Sequence, residues 1–195
     1  MKKTILTLVI ALPLFFTCNN NDNQDLAQEN MNGFFINSDF HQVNKAYFIT
    51  DLSTEKPNDF YIVITDGEIV SYLIDSNEFE FNDATTNSVI FRAIQNPNTP
   101  TALNFAPSGS YIFNSKNESF NNARFYFNCE SANGVLETCQ YTVLLEESMI
   151  PNVAIIDIER DDSTAIYSIN FNIKISNSIH INGQYHGALD SLKSE

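Results

Sequence analysis

The C-terminal third restricts the fold most, because its side chains alternate between apolar and polar along two consecutive segments. One parity of the first segment holds the apolar residues Ala165, Tyr167, Ile169, Phe171, Ile173 and Ile175, and the other holds Ser168, Asn170, Asn172 and Lys174. The second segment alternates in the same way over residues 179–186. A period of two indicates strands with one face in a core and one in water, which is typical of antiparallel sheets. Short polar connections at 159–164 and 176–178 predict that these strands form a meander.

Further runs rich in aromatic and β-branched residues lie between turn residues along the rest of the chain. They predict strands near 33–37, 44–51, 59–65, 68–74, 87–94, 109–114, 122–128, 138–146, 153–160, 164–176 and 178–189. Helical repeats and the continuous apolar strands of a parallel sheet are missing from the sequence. Because so many strands must close or fold over, we expect an all-β antiparallel meander that forms a two-sheet sandwich, or alternatively a closed or partly closed β-barrel.

The first residues have the order of an export signal. Lys2 and Lys3 precede a largely apolar run over residues 4–17, which is shorter than the ~20 apolar residues of a membrane span but fits a signal peptide. The run ends at Cys18 and resembles the lipobox of bacterial lipoproteins, whose cysteine is lipid-modified and becomes the mature N-terminus. The alternative is cleavage nearby, with Cys18 incidental.

The domain organisation follows from this signal. Residues 19–32, with the sequence NNNDNQDLAQENMN, contain almost no apolar side chains, which is typical of a flexible segment. We therefore expect a lipoprotein signal peptide at 1–17, a polar tether at 18–32 that begins with lipidated Cys18, and a single antiparallel β domain at 33–195. The membrane would be contacted through the lipid on Cys18.

The charge of the chain excludes some partners. The sequence has 10 Lys and Arg against 24 Asp and Glu, for a formal net charge of −14. Nucleic acids and anionic lipid surfaces attract basic patches, so we expect neither as a direct partner.

The motifs HExxH and GxSxG and a Gly-rich phosphate loop are missing from the sequence. We therefore predict no catalytic residues and no cofactor, and a protein or glycan partner stays open.

One acidic cluster invites a metal hypothesis. Asp157, Glu159, Asp161 and Asp162 lie at the connection between two predicted strands, and Ca²⁺ binds several carboxylate oxygens. The spacing of an EF-hand loop, with its central Gly and final Glu, is missing. We expect a solvated hairpin tip and no metal site.

The histidines and some tyrosines are further candidate site residues. His180 and His186 share one face but stand ~20 Å apart on a regular strand, so they cannot bind one metal ion, and together with His41 we expect exposed surface histidines. Parity places Tyr61, Tyr72 and Tyr126 on outer faces, where aromatic rings could bind sugars. Because sheets favour aromatic residues for packing, core or cross-strand packing is the default expectation.

Cys129 and Cys139 are the remaining cysteines, and export would place them in an oxidising compartment. We expect a disulfide between them; the alternative is two reduced, buried thiols. Asn133-Gly134 predicts a hairpin between them, but a two-residue turn would put the cysteines on opposite faces. A three-residue loop, or a bulge adding one residue, would pair them directly. We therefore expect an odd loop, such as residues 133–135.

Three segments carry a resemblance to a known group of proteins. They are FYIVITDGEIVSY at 60–72, PSGSYIFNS at 107–115 and the meander VAIIDIERDDSTAIYSINFNIKISNSIHINGQYHGAL at 153–189. The chain resembles Bacteroidota-type exported lipoproteins of unknown function that have an all-β domain. The resemblance implies fold and compartment only, because these motifs mark turns and strand ends.

These observations together predict a lipid-anchored lipoprotein of the cell envelope, in the outer membrane, on either its periplasmic or its surface-exposed face. Its β domain would be a non-enzymatic binding or interaction module. The alternative is a small secreted hydrolase, or an accessory protein in polysaccharide breakdown.

Overall fold

The computed structural model describes residues 31–50, 59–73, 78–95, 105–115 and 119–192. The predicted signal peptide, Cys18 and all of the tether before Met31 lie outside the described residues. Within them the regular elements are β-strands, and the all-β prediction is confirmed. No described segment is a helix long and apolar enough to cross a membrane.

The strands follow one another along the chain as β1 (Gly33–Ile36), β2 (Asp39–Gln42), β3 (Lys45–Thr50), β4 (Asp59–Thr65), β5 (Ile69–Leu73), β6 (Glu78–Phe81), β7 (Ser88–Ile94), β8 (Gly109–Phe113), β9 (Ser119–Phe127), β10 (Glu130–Ala132), β11 (Val135–Glu137), β12 (Tyr141–Leu145), β13 (Val153–Asp161), β14 (Ile166–Lys174), β15 (His180–Gly187) and β16 (Asp190–Ser191). The short strands β2, β6, β10, β11 and β16 were not among the predicted ones. Ala165, which we placed on the inner face of a strand, lies instead in the turn before β14, with a φ of 57°.

Most strands belong to one 12-stranded sheet in the order β16-β3-β4-β7-β9-β8-β13-β14-β15-β1-β2, with β12 paired to β9. The sheet curls into a half-barrel, and the expected two-sheet sandwich is not confirmed. The sheet is also mixed, because β16 pairs with β3 and β8 pairs with β9 in parallel. Side-chain alternation could not predict this, since it reports which face a residue occupies and carries no information on strand direction.

The C-terminal meander is present as an antiparallel ladder of β13, β14 and β15. On β14 the residues Phe171 and Ile173 are buried, while Asn170 and Asn172 are exposed. The buried residues of this meander face the inside of the curled sheet, where they pack with core residues of β4, β7 and β9. The period of two therefore identified the core face correctly here.

Strand β4 differs, because it is buried along its whole length. Phe60, Ile62 and Ile64 join the core inside the half-barrel, whereas Tyr61 and Val63 join a second cluster on the opposite face. We call this cluster the outer core; its buried members are Tyr47, Ile49, Tyr61, Val63, Ile69, Tyr72, Phe79, Phe81, Ile90, Cys129 and Leu136. It lies between the large sheet and two hairpins, β5–β6 and β10–β11, which shield this face from water.

Candidate functional site

One end of each of the strands β3, β4, β7 and β9 lies at the same end of the large sheet. The start of β3 pairs with the end of β4, which pairs with the start of β7, which in turn pairs with the end of β9. The residues just beyond these strand ends, together with β2, surround an open cavity of about 400 Å³. We call it the rim cavity; it is lined by Phe40, His41, Gln42, Val43, Asn44, Asp66, Asn87 and Asn128.

Asp66 holds the wall of the rim cavity in place. Its Oδ1 accepts hydrogen bonds from the backbone N–H groups of Thr86 and Asn87, both at 2.9 Å. Its Oδ2 accepts one from Asn87 Nδ2 at 2.8 Å and another from the Thr86 hydroxyl. A carboxylate that accepts four such bonds has its lone pairs directed into the protein, so Asp66 fixes the segment before β7 and is not available to a cation.

Gly67 is required next to Asp66 because of a close approach. A Cβ at this position would lie 1.9 Å from Thr85 Oγ1 and 2.7 Å from Asn82 Oδ1. The Thr-Asp-Gly segment at 65–67 belongs to a motif expected to mark turns and strand ends, and through Asp66 it contributes to the cavity wall. No signal in the sequence alone connects Asp66 to residues twenty positions further along the chain.

His41 lies at the inner side of the rim cavity and is buried, with 7% of its surface exposed. The prediction that it is an exposed histidine is wrong, because β2 turns it inward. Its ring stacks on Phe34 at 5.5 Å and lies 5.2 Å from the Phe127 ring, measured between centroids. Burial in this aromatic surrounding lowers the pKa of His41, so the neutral imidazole is favoured.

The Nε2 atom of His41 has no hydrogen-bond partner among the described residues. The side chains of Asn87 and Asn128 lie near enough to oppose the lowering of the His41 pKa, although neither makes a hydrogen bond of good geometry to Nε2. Buried polar atoms are nearly always paired. His41 combines such an unpaired nitrogen with a place in the lining of a cavity, which makes it a candidate ligand-binding group.

Asn128 links the rim cavity to the disulfide. Its backbone N–H donates to Asn87 Oδ1 at 3.0 Å and its Nδ2 donates to Gln140 Oε1 at 2.6 Å. The next residue, Cys129, donates its N–H to Thr86 O at 2.9 Å. The base of the β10–β11 hairpin is thus tied to the same loop that Asp66 holds.

Cys129 and Cys139 form a disulfide with an S–S distance of 2.00 Å. The odd hairpin loop that we expected is wrong, because Ala132 pairs with Val135 around a two-residue turn. Thr138 supplies the extra residue instead. Its φ of 47° ends the strand pairing after Glu137 and brings Cys139 onto the side of Cys129. The extra residue lies beyond the β10–β11 ladder, whose register is uninterrupted, so it is neither a three-residue loop nor a bulge within the ladder.

The acidic cluster at the β13–β14 connection forms a hydrogen-bonded hairpin tip. Asp161 Oδ1 accepts from the Ser163 hydroxyl at 2.6 Å and Oδ2 accepts from the Thr164 hydroxyl at 2.9 Å. The hydrogen bonds from Ser163 lower the pKa of Asp161. Asp162 pairs with Arg160, while Asp157 and Glu159 lie exposed along β13. In the described residues, no group of three or more His, Cys, Asp and Glu could hold a metal ion.

The two histidines of β15 bind residues of the neighbouring strand β14. His180 Nε2 lies 2.8 Å from Asn172 Oδ1, and His186 Nδ1 lies 3.0 Å from Ser168 Oγ. The second contact borders an open depression of about 430 Å³ that Glu159 also lines. No sequence motif marks this pair, because the pairing of Ser168 with His186 depends on the strand register.

The three tyrosines assigned to outer faces contribute to packing. Tyr61 and Tyr72 are buried in the outer core with ring centroids 5.5 Å apart, and Tyr126 packs against the same cluster. The parity assignment was correct, but the two hairpins cover that face. These rings therefore form no exposed platform for a sugar.

An apolar surface lies at the end of β8 and the start of β13. Its residues include Ile150, which is 93% exposed, with Met149 and Val153 beside it. They border a depression of about 420 Å³ with few polar side chains. Such a surface would bind a partner through shape and apolar contact area, whereas the rim cavity offers directed hydrogen bonds.

Comparison of the chain with known proteins found no matching family model, no similar curated protein and no similar solved structure.

Proposed function

We propose that this chain is a lipid-anchored lipoprotein of the cell envelope, held in the outer membrane, and that its β domain is a non-enzymatic binding module. The order of Lys2, Lys3, the apolar run and Cys18 supports the anchor, as does the resemblance to Bacteroidota-type exported lipoproteins. The rim cavity supports the binding role. The single observation that carries it is the buried, unpaired Nε2 of His41 beside that cavity.

The anchor is tested by metabolic labelling with palmitate and by membrane fractionation. The wild-type protein should incorporate label and sediment with membranes, and Cys18→Ser should lose both properties. The matched control is the double variant Cys129→Ala/Cys139→Ala, which removes the other two cysteines and should stay labelled. A wild-type chain without label would refute the anchor.

A hydrolase is the second candidate, and the 3.0 Å contact between Ser168 and His186 is the observation in its favour. A serine nucleophile needs a base within hydrogen-bond reach and donors for the developing oxyanion. The pair lies on strands β14 and β15, whose backbone groups are engaged in the sheet ladder. These backbone groups are therefore not available as oxyanion donors, which favours the binding module.

The two candidates are separated by an esterase assay with p-nitrophenyl acetate. The binding module predicts that wild type and Ser168→Ala both hydrolyse the ester at the rate of a protein-free buffer. Ser168-dependent turnover would establish the hydrolase and refute the non-enzymatic role.

A further inference from the structure

We propose that the rim cavity binds a neutral, hydroxyl-rich ligand, such as one sugar unit, through hydrogen bonds to His41 Nε2 and the Asn44 side-chain amide. This inference rests on the proposed function as a binding module and gives that module a ligand class. Three properties of the cavity lead to it: its charge, its hydrogen-bonding groups and its size.

The charge of the cavity excludes ionic ligands. No Lys or Arg is among the residues that line it, while the carboxylates of Asp66 and nearby Asp39 act on the His41 ring. Anions would therefore be repelled. A cation would need free carboxylate lone pairs, but Asp66 already accepts hydrogen bonds on both oxygens. A neutral ligand is the remaining class.

The hydrogen-bonding groups match hydroxyls. A hydroxyl donates one hydrogen bond and accepts others, so it can pair with either polar atom of an amide and with either nitrogen of a neutral imidazole. Gln42, Asn44 and Asn128 are exposed at the mouth of the cavity, and His41 is buried behind them. A ligand with several hydroxyl groups can form hydrogen bonds with all four side chains at once.

The inner wall is prepared for binding before a ligand arrives. Asn87 is held by Asp66 at 2.8 Å and in turn accepts the Asn128 N–H at 3.0 Å. His41 is held by its aromatic neighbours and leaves Nε2 unpaired. Because Nε2 has almost no exposed surface, a ligand hydroxyl reaches it only when the side chains that cover it move aside. It then gains a hydrogen bond that no protein group makes, and the ordering of Asn87 lowers the entropy cost of binding.

The size of the cavity fits a small ligand. Its volume is about 400 Å³, near the lower end of the ~300–1,000 Å³ typical of small-molecule sites. It is open on one side, so a unit at the end of a longer glycan could enter as well as a free sugar.

The test is ligand-observed NMR on the exported mature protein in detergent. The probes are glucose, galactose and mannose, each as the free sugar and as its methyl glycoside, with glucuronate and glucosamine as charged counterparts. We expect at least one neutral sugar to bind, and glucuronate, whose carboxylate is repelled, to bind about tenfold more weakly, equivalent to ~1.4 kcal/mol. Tighter binding of glucosamine than of every neutral sugar would overturn the exclusion of cations. Binding of a methyl glycoside identifies a glycan end as the ligand form; binding only of a free sugar identifies the free form.

Two variants locate the binding site. His41→Gln and Asn44→Ala should each weaken binding about tenfold, as expected for loss of one hydrogen bond. Asn44 is exposed, so Asn44→Ala should fold even if His41→Gln does not. The control Asn170→Ala changes an exposed residue of β14 and should leave binding unchanged. Absence of neutral-sugar binding, equal binding of glucuronate, or unchanged binding by a folded Asn44→Ala would overturn the inference.

Palmitate labelling of the same preparation separates this inference from the proposed function. A labelled, folded protein without esterase activity that binds none of the sugars would overturn the ligand class and leave the anchored module intact. An unlabelled protein, or Ser168-dependent hydrolysis, would refute the proposed function independently of the sugar result.

Discussion

Phe171 lies directly opposite Gly183 across strands β14 and β15, and its ring occupies the space into which a side chain at position 183 would project. An added Cβ would lie 2.5 Å from Phe171 Cζ and 2.5 Å from Phe34 Cβ. Because β15 is paired on both sides, with β14 and with β1, the strand has little room to shift.

We therefore expect Gly183→Ala to lower the free energy of unfolding by ~1–3 kcal/mol, the range for overpacked cores. Urea denaturation followed by circular dichroism measures the change. The control Gln184→Ala alters the neighbouring residue, which is only partly buried. Equal stability of Gly183→Ala and wild type would show that the ring and strand can separate at little cost.

Phe171→Ala should destabilise the domain by ~3–5 kcal/mol, as large-to-small core substitutions do. The Phe171 ring is 4% exposed and contacts the Phe91 ring with centroids 5.1 Å apart. The adjacent control Asn172→Ala, on the exposed face, should cost less than ~1 kcal/mol. Similar thermal midpoints for the two variants would contradict the assignment of faces on β14.

Removal of the disulfide should also destabilise the fold. For a closed loop of this length, with a sequence separation of 10 residues, we expect Cys129→Ala/Cys139→Ala to lower the free energy of unfolding by ~2–3 kcal/mol. Mass spectrometry of unreduced peptides from the exported protein should recover the two cysteines in one linked species. Free alkylation of both thiols would rule the bridge out.

Thr138 is a strained residue that makes this disulfide compatible with a two-residue turn. A β-branched residue is unfavourable in the left-handed region, where Thr138 has a φ of 47°, whereas Asn tolerates it. We expect Thr138→Asn to stabilise the protein by up to ~1 kcal/mol. The same exchange at Thr142, inside β12, should instead be neutral or destabilising. A lower thermal midpoint for Thr138→Asn would argue against the strain.

The stability of the domain should decline below pH ~6.5 because of His41. Burial lowers the pKa of His41 below its ordinary value of 6.5. Between these two pKa values the unfolded chain binds a proton that the folded chain does not, so acidification favours unfolding until the folded pKa is passed.

Thermal melts between pH ~7.5 and ~5.5 avoid most carboxylate titration and measure this effect. His41→Gln should flatten the pH dependence in that window. Gln42→Ala, which changes an exposed neutral residue of β2, is the control and should keep the wild-type slope. An unchanged slope in His41→Gln would exclude His41 as the cause.

The amino-acid sequence by itself determined the all-β class and the core face of the C-terminal meander. Both follow from side-chain alternation, which any strand must obey locally whatever its neighbours are. The two cysteines and the Asn133-Gly134 turn were also local signals, and the structure contains both the disulfide and the hairpin. The left-handed backbone of Thr138 makes the two-residue turn compatible with the disulfide, and no pattern in the sequence predicted it.

The tertiary structure decided which strands are neighbours, how the sheet curls and which faces are covered. Tyr61 is buried because the β5–β6 and β10–β11 hairpins lie over a face that alternation alone assigns to solvent. His41 becomes buried and unpaired, and Asp66 comes to bind Asn87, only when strand ends that are distant in sequence meet at one rim. Contacts of this kind depend on long-range pairing and are not encoded in any local period.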